Sequence, residues 1–284
     1  VWNGAEQMKQ VMANRKFIIY LGILGVFVAA AIVVPSLSPY SYDAQDVVSQ
    51  NLGVSAAHLF GTDKFGRDLF TRVCYGLRIS LTVGFVSACV CFVIGVVVGA
   101  VSGLANLVVD SILLELMNII SAIPSMLYVI LILLVLDASI GSVILGICVA
   151  GWVDLAKMVR VETRRLRQMD YCLAAEMMGV PMWRIIFKYI LPNERGLLIV
   201  QTILLIPKAI FTEAFLSFLG IGIAAPRASL GTLIQDARSL ITQYPTQILF
   251  PVLVLAALIV CLQSIGYALE QQGGNGAQRI QEEI

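Results

Sequence analysis

Uncharged apolar runs alternate with polar segments along nearly the whole chain. A run over 17–34 follows Arg15 and Lys16 and stops at Pro35 and Pro39, which predicts a first membrane-spanning helix. No charged residue occurs in the 31 positions from Ile79 to Val109, enough for a tilted span near 79–103 and a turn at 103–106. Further spans are predicted over about 112–136, interrupted only by Glu115, and over 139–153, which is short. A fifth, 197–219, contains Pro207, Lys208 and Glu213, and a sixth covers about 248–269.

The segments between the runs carry pattern of their own. Residues 35–78 number 44, too few for an independent domain and too many for a turn. Within them Asp63/Arg67 and Asp68/Arg72 form i,i+4 pairs while Phe65, Leu69 and Val73 recur on another face, which predicts an amphipathic helix lying on the outer membrane surface. The second span places Gly95, Gly99 and Gly103 at four-residue intervals, after Ser80, Gly84 and Ala88 at the same spacing. Small residues in such rows let another helix approach closely, so a packing role is expected. Segment 154–196 holds 43 residues and 13 of the chain's 37 charges, eight basic and five acidic. It predicts a helix over 169–178, a corner at Gly179 and Pro181, and a second helix over 183–191 ending at Pro192 and Asn193. That is either a protrusion suited to a partner's groove or a plain connector.

Composition fixes the class. Apolar residues make up 59% and charged ones 13%, against about 25% charged in soluble domains, so the chain is all-α, a polytopic integral membrane protein with six spans. The run starting at Phe17 is too long for the apolar core of a signal peptide. A formal charge of +1 argues against nucleic acid as a partner. With six spans both termini share a side with the 104–111 turn and the 154–196 loop, and that side collects 12 of the 19 Lys and Arg. Because positive loops stay inside, both termini are expected in the cytoplasm and 35–78 and 220–245 outside. Six dispersed cysteines are expected to pack as small apolar residues, and the single histidine, His58, weighs against a histidine-based metal site. The organisation is then a cytoplasmic tail over 1–16, a first span with its extracytoplasmic segment over 17–78, a five-helix core over 79–270, and a cytoplasmic tail over 271–284 that is idiosyncratic or partly unfolded.

Three strings carry a family resemblance. Leu173-Ala174-Ala175-Glu176-Met177-Met178-Gly179, followed by Ile185-Ile186-Phe187 and Tyr189-Ile190-Leu191-Pro192-Asn193, resembles the EAA loop of ABC-importer permeases. Leu59-Phe60-Gly61-Thr62-Asp63-Lys64-Phe65-Gly66-Arg67-Asp68, with Arg72, Tyr75-Gly76 and Arg78-Ile79-Ser80-Leu81, is similar to a signature of dipeptide/oligopeptide permeases. Glu213-Ala214-Phe215-Leu216-Ser217-Phe218-Leu219-Gly220-Ile221-Gly222, with Gly231 and Asp236-Ala237-Arg238, is similar to another. Leu173 stands where the EAA motif usually has Glu, Glu115 and Asn118 stand where relatives often have Arg and Asp, and Ser264–Tyr267 lacks the usual Gly-Asp pair.

The resemblance implies a permease that pairs with a second, similar permease, seats two ATP-hydrolysing subunits inside, and receives cargo from an extracytoplasmic solute-binding protein. It implies that Leu173, Ala174, Ala175, Glu176, Gly179, Val180 and Pro181 couple to the ATPase, and that the cargo is a peptide, with nickel or metal chelates as the alternative. Lys208, Glu213 and Glu115 are the ionisable groups nearest the hydrocarbon, which makes them candidates for the translocation path or a subunit interface. No GxxxxGK[ST] loop is present, so ATP and Mg2+ are expected on the partner subunits, with no cofactor or metal on this chain. A secondary transporter would call for an inverted repeat and a midplane ion site, and an intramembrane enzyme for HExxH or paired acids. Neither pattern is found.

Overall fold

The computed structural model describes residues 15–224 and 226–282. Residues 1–14 and 283–284, and with them most of the expected N-terminal tail, lie outside that description. Helix α1 (Arg15–Leu37) is apolar on all sides yet buries only Phe17 and Ala31. Such a helix is stable only if hydrocarbon bathes its remaining faces. Leu24 and Phe27 pack beside Ala31 against Leu258 and Leu262 of the last helix and Leu69, Val73 and Leu77 of the next.

Helix α2 (Leu69–Leu104) is the central post. It begins ten residues before the expected span because Asp68 caps it, accepting from the Thr71 amide at 2.8 Å. The predicted surface helix over 63–72 is therefore absent. Asp63 Oδ1 instead closes a turn by accepting from the amides of Phe65 (2.8 Å) and Arg67 (3.0 Å). Gly66 sits at φ +74°, where a Cβ would lie 1.8 Å from the Asp46 carbonyl oxygen, so helix cannot run through it. Of the two expected pairs, Asp63–Arg67 forms at 2.6 Å, whereas Asp68 takes His58 at 2.9 Å. Arg72 reaches Asp63 and Asp236, each at 3.6 Å, and donates to the Tyr42 carbonyl at 2.9 Å. The 38–68 loop is thus fastened to α2 and to the far 236 region, and Gln247 holds it again through Asn51 (2.9 Å) and the Thr62 carbonyl (3.0 Å).

The expected third span is two helices, α3 (Leu107–Ala122) and α4 (Ser125–Val135), bent by 78° at Ile123-Pro124. Pro124 has no amide proton to continue the ladder, and its ring forces the preceding residue out of helical geometry. Helix α5 (Ile140–Gly151) leads directly into α6 (Val153–Arg167). Residues 154–167, at the start of the expected cytoplasmic loop, continue as helix from α5 because Val153, Leu155, Ala156, Val159, Thr163 and Leu166 recur at helical spacing and are buried. The glycine row receives them. A Cβ on Gly99 would lie 2.5 Å from the Ala156 carbonyl oxygen, and one on Gly103 2.8 Å from Thr163 Cβ. The other row serves a different helix: a Cβ on Gly84 would meet Ile210 at 2.6 Å.

After α7 (Asp170–Met177) and the short α8 (Met182–Ile185), a π-turn over 186–190 runs without interruption into α9 (Leu191–Phe218). Pro192 does not end the helix as expected. It stands in the first turn of α9, where its missing N–H is no loss. Helix α10 (Leu230–Ala237) wedges between α9 and α2, with Gly231 against the Ala214 carbonyl and Gly76 against the Leu230 amide. Helix α11 (Pro245–Glu282) continues beyond the expected span into most of the segment expected to be partly unfolded. Five helices among the described residues are long and apolar enough to cross a membrane, or six if α3 and α4 together make one span.

Candidate functional site

The α7 corner is built by a glycine. Gly179 at φ +75° ends the helix in a Schellman motif, with the Val180 amide donating to the Ala175 carbonyl (3.1 Å) and the Gly179 amide to that of Glu176 (3.0 Å). Pro181 then turns the chain into α8. Beneath the corner Cys172, Ala175, Ile185 and Ile190 are buried with Leu166, Val180 and Met182. Burial pushes the Cys172 thiol up, which suits a packing residue and not a reactive one. On the outer side Leu173, Ala174 and Glu176 are exposed, Met177 is 90% exposed and Met178 75%. Leu173 and Met177 are four apart and share a face. Among the described residues nothing comes within 4 Å of a Cβ built on Gly179, so among them the corner faces open space.

Arg167 fixes this corner to the bundle. Its guanidinium donates to the Leu104 carbonyl at the C-terminus of α2 (3.2 Å) and to Glu176 (3.2 Å). At the same end Asp110 is buried and accepts from Ser102 (2.7 Å), Arg160 and Arg164 (2.7 Å), clamping the α2–α3 turn to α6. Neither arrangement was visible in the sequence, although basic residues at 160, 164 and 167 on a helix offered a signal.

The other candidate residues fall in three environments. Lys208 meets Asp154 at 3.1 Å across α9 and α6. Both border a cavity of about 200 Å³ with Ser87, Cys91, Ser121, Ser125 and Thr212, at the α3–α4 break. Glu213, five residues on, does not line that cavity. It is fully buried and accepts from Ser80 of α2 (2.9 Å) and Ser217 (2.8 Å). Glu115 is exposed on α3, away from both. Asp154 was missed because a charge was read as the end of a span; the buried residues that continue the helical spacing past it were the available signal.

Comparison with known proteins places the chain in a family. A family model described as the binding-protein-dependent transport system inner membrane component matches residues 95–272. One for the N-terminal TM domain of oligopeptide transport permease C matches 4–53. The dipeptide transport system permease protein DppC of Bacillus subtilis is 37% identical over 95% of this chain and 82% of its own length. The oligopeptide transport system permease protein OppC of Escherichia coli is 35% identical over 95% of this chain and 89% of its own. Among solved structures, a chain of the MetNI methionine ABC transporter in inward-facing conformation superposes with a TM-score of 0.59 at 19% identity, covering 71% of this chain and 96% of that one. The last shows the shared helical fold, and the sequence matches span most of the chain. The chain belongs to the binding-protein-dependent transport system inner membrane components, the permeases of ABC importers.

Proposed function

We propose that this chain is one of two similar permease subunits in an ATP-driven importer of peptides, receiving cargo from an extracytoplasmic solute-binding protein. Relatives named for dipeptide and oligopeptide transport support peptides over nickel or metal chelates. In this reading two ABC ATPase subunits bind ATP and Mg2+ and close on each other, and the 173–181 corner moves with them. The termini are cytoplasmic, in keeping with the distribution of Lys and Arg. Glu115, exposed on α3, faces the second permease or the inner interface.

The observation that carries the proposal is the corner. A stable connector would bury its apolar side chains, yet Leu173, Met177 and Met178 project from a glycine-capped turn with nothing among the described residues over them. An apolar knob of this kind fits a partner's groove, and Met adapts to an irregular one. With Leu173 in place of the usual Glu, packing and not an ion pair supplies contact at that position. Glu176 is engaged by Arg167, so it serves to hold the corner to the bundle.

Capture of the ATPase by the detergent-solubilised permease tests this. Met177→Asp should leave the permease at normal membrane level and abolish capture, because a carboxylate in an apolar groove loses its hydration without gaining a partner. Normal capture by Met177→Asp and Leu173→Asp together would overturn the docking assignment.

A further inference from the structure

We propose that Asp154 and Lys208 form a transit site that receives the charged termini of a peptide, the ammonium at Asp154 and the carboxylate at Lys208. This rests on the peptide-import reading above and assigns a recognition step within the bundle.

The argument begins with depth. Asp154 lies 14 residues from the start of α5 at Ile140, or about 21 Å of helix, and Lys208 lies ten residues before the end of α9 at Phe218, about 15 Å. Both ends belong to the same side of the bundle, so the pair sits well inside the membrane-spanning part. A charge at such depth is costly unless it faces water or a partner. Packing within the chain does not offset that cost: the side chains are 63% and 73% exposed, and an exposed ion pair contributes little to stability. The pair borders a cavity whose wall sets the hydroxyls of Ser87, Ser121, Ser125 and Thr212 among apolar side chains such as Ile147 and Leu205, so polar groups face it without making it wholly polar. These suit a cargo with a polar backbone.

The exchange of partners explains why two charges are retained instead of none. A peptide with free termini carries one charge of each sign, so its entry replaces one ion pair by two and leaves no charge unpartnered. Release reverses the exchange. A cargo of one sign leaves either Asp154 or Lys208 without a counter-charge. Lys157 adds a second cation at the rim, where its Nζ donates to Ser121 Oγ at 3.1 Å. With Asp154, Lys157 and Lys208 the local balance is +1, which disfavours a bare metal cation. At about 200 Å³ the cavity is smaller than the roughly 300–1,000 Å³ that encloses a drug-sized ligand, so a short peptide is the cargo that places both termini there at once.

The test uses the intact importer in proteoliposomes, with the binding protein saturated by trialanine, by N-acetyl trialanine or by trialanine amide. The readout is the ratio of maximal uptake rates for free and blocked peptide, which does not depend on how much complex assembles. Lys208→Gln should bring the free-to-amide ratio down by roughly fivefold or more, and Asp154→Asn should do so for the free-to-acetyl ratio. Unchanged ratios in both variants would overturn the transit site while leaving peptide import standing. Absence of uptake of any peptide by the wild-type complex, with ATPase and binding protein attached, would overturn the peptide reading itself. Should either variant fail to assemble, a trialanine derivative carrying a diazirine at its C-terminus decides the matter on the wild-type chain. Adducts within 121–125 or 205–212 support the site, and adducts confined to other segments overturn it.

Discussion

Replacing Gly99 by alanine tests whether α6 is seated on the backbone of α2 or merely lies near it. The added Cβ would stand 2.5 Å from the Ala156 carbonyl oxygen and 2.7 Å from Val159 Cβ. A carbon rests about 3.3 Å from a carbonyl oxygen, so the helices must part by about 0.8 Å there. The obstacle is backbone, which cannot rotate away as a side chain does. Over-packing of this kind costs about 1–3 kcal/mol, and the absence of a rotamer escape puts Gly99→Ala toward the upper figure. Gly103→Ala, with contacts at 2.8 and 2.9 Å, should cost somewhat less, and Gly95→Ala, with its nearest at 3.0 Å, least of the three. Gly22→Ala in α1 is the control: among the described residues nothing lies within 4 Å, and alanine should stabilise the helix by up to about 1 kcal/mol. Thermal unfolding in detergent, followed as the loss of the monodisperse peak, gives the order of midpoints. Separation should also disturb Arg167, which joins the end of α2 to the corner, so Gly99→Ala should weaken ATPase capture more than its loss of stability alone accounts for. A Gly99→Ala midpoint equal to or above that of Gly22→Ala would refute the reasoning.

Glu213→Leu should destabilise strongly, because it leaves the Ser80 and Ser217 hydroxyls buried without an acceptor at about 1–3 kcal/mol each, whereas Glu213→Gln keeps an oxygen in place; equal midpoints for the two variants would contradict this. Arg72→Met removes the residue that joins Asp63, Asp236 and the Tyr42 carbonyl, and because Arg67 still partners both carboxylates the loss should be about 1–3 kcal/mol, with hydrogen exchange over 40–66 rising. No change in that exchange would show the network to be dispensable. Gly179→Asn should be accepted and Gly179→Val should not, since φ +75° costs an ordinary residue about 1–2 kcal/mol while asparagine visits that region; equal membrane levels and ATPase capture for the pair would argue against the glycine cap. Single cysteines at Ser49 and Gln168 in a background free of native cysteines should react with an impermeant thiol reagent in intact cells at 49 and not at 168, and the reverse would invert the orientation.

The spans were legible because hydrocarbon demands long apolar runs, and the glycine row because close helix approach demands small residues at intervals of four. The breaks were not. Pro124 was a signal for the 78° bend, but it carries no charge, so a reading of spans as charge-free runs passed over it. Asp154 was read as the end of a span because charge and helix end usually coincide in membranes, and the recurrence of Leu155, Ala156, Val159 and Thr163 showed otherwise only when tested for period. Spacing also misled at Asp68 and Arg72: an N-cap and a residue one turn into its helix are four apart just as a surface pair is. The corner at Gly179 was visible from its residues. Its anchor through Arg167, like the Ser80–Glu213 and Asp154–Lys208 contacts, joins residues 9 to 133 positions apart and depends on which helices become neighbours.

The π-turn at 186–190 has a mechanical consequence. Because it carries the chain from the corner into α9 without a joint, 186–218 forms one rod of 33 residues, about 50 Å long. On the other side α6 enters the same corner at Arg167. The two helices are thus the arms of a pair of tongs with α7 as the grip. Lys208 stands about 33 Å along its arm, so each degree by which that arm swings relative to the other shifts it by about 0.6 Å. A relative swing of about five degrees at the grip separates Lys208 from Asp154 by about 3 Å more than its present contact. A swing of a few degrees is therefore enough to open the jaws, and because α2 packs against Ile210 of one arm and Ala156 of the other, one arm must slide on it.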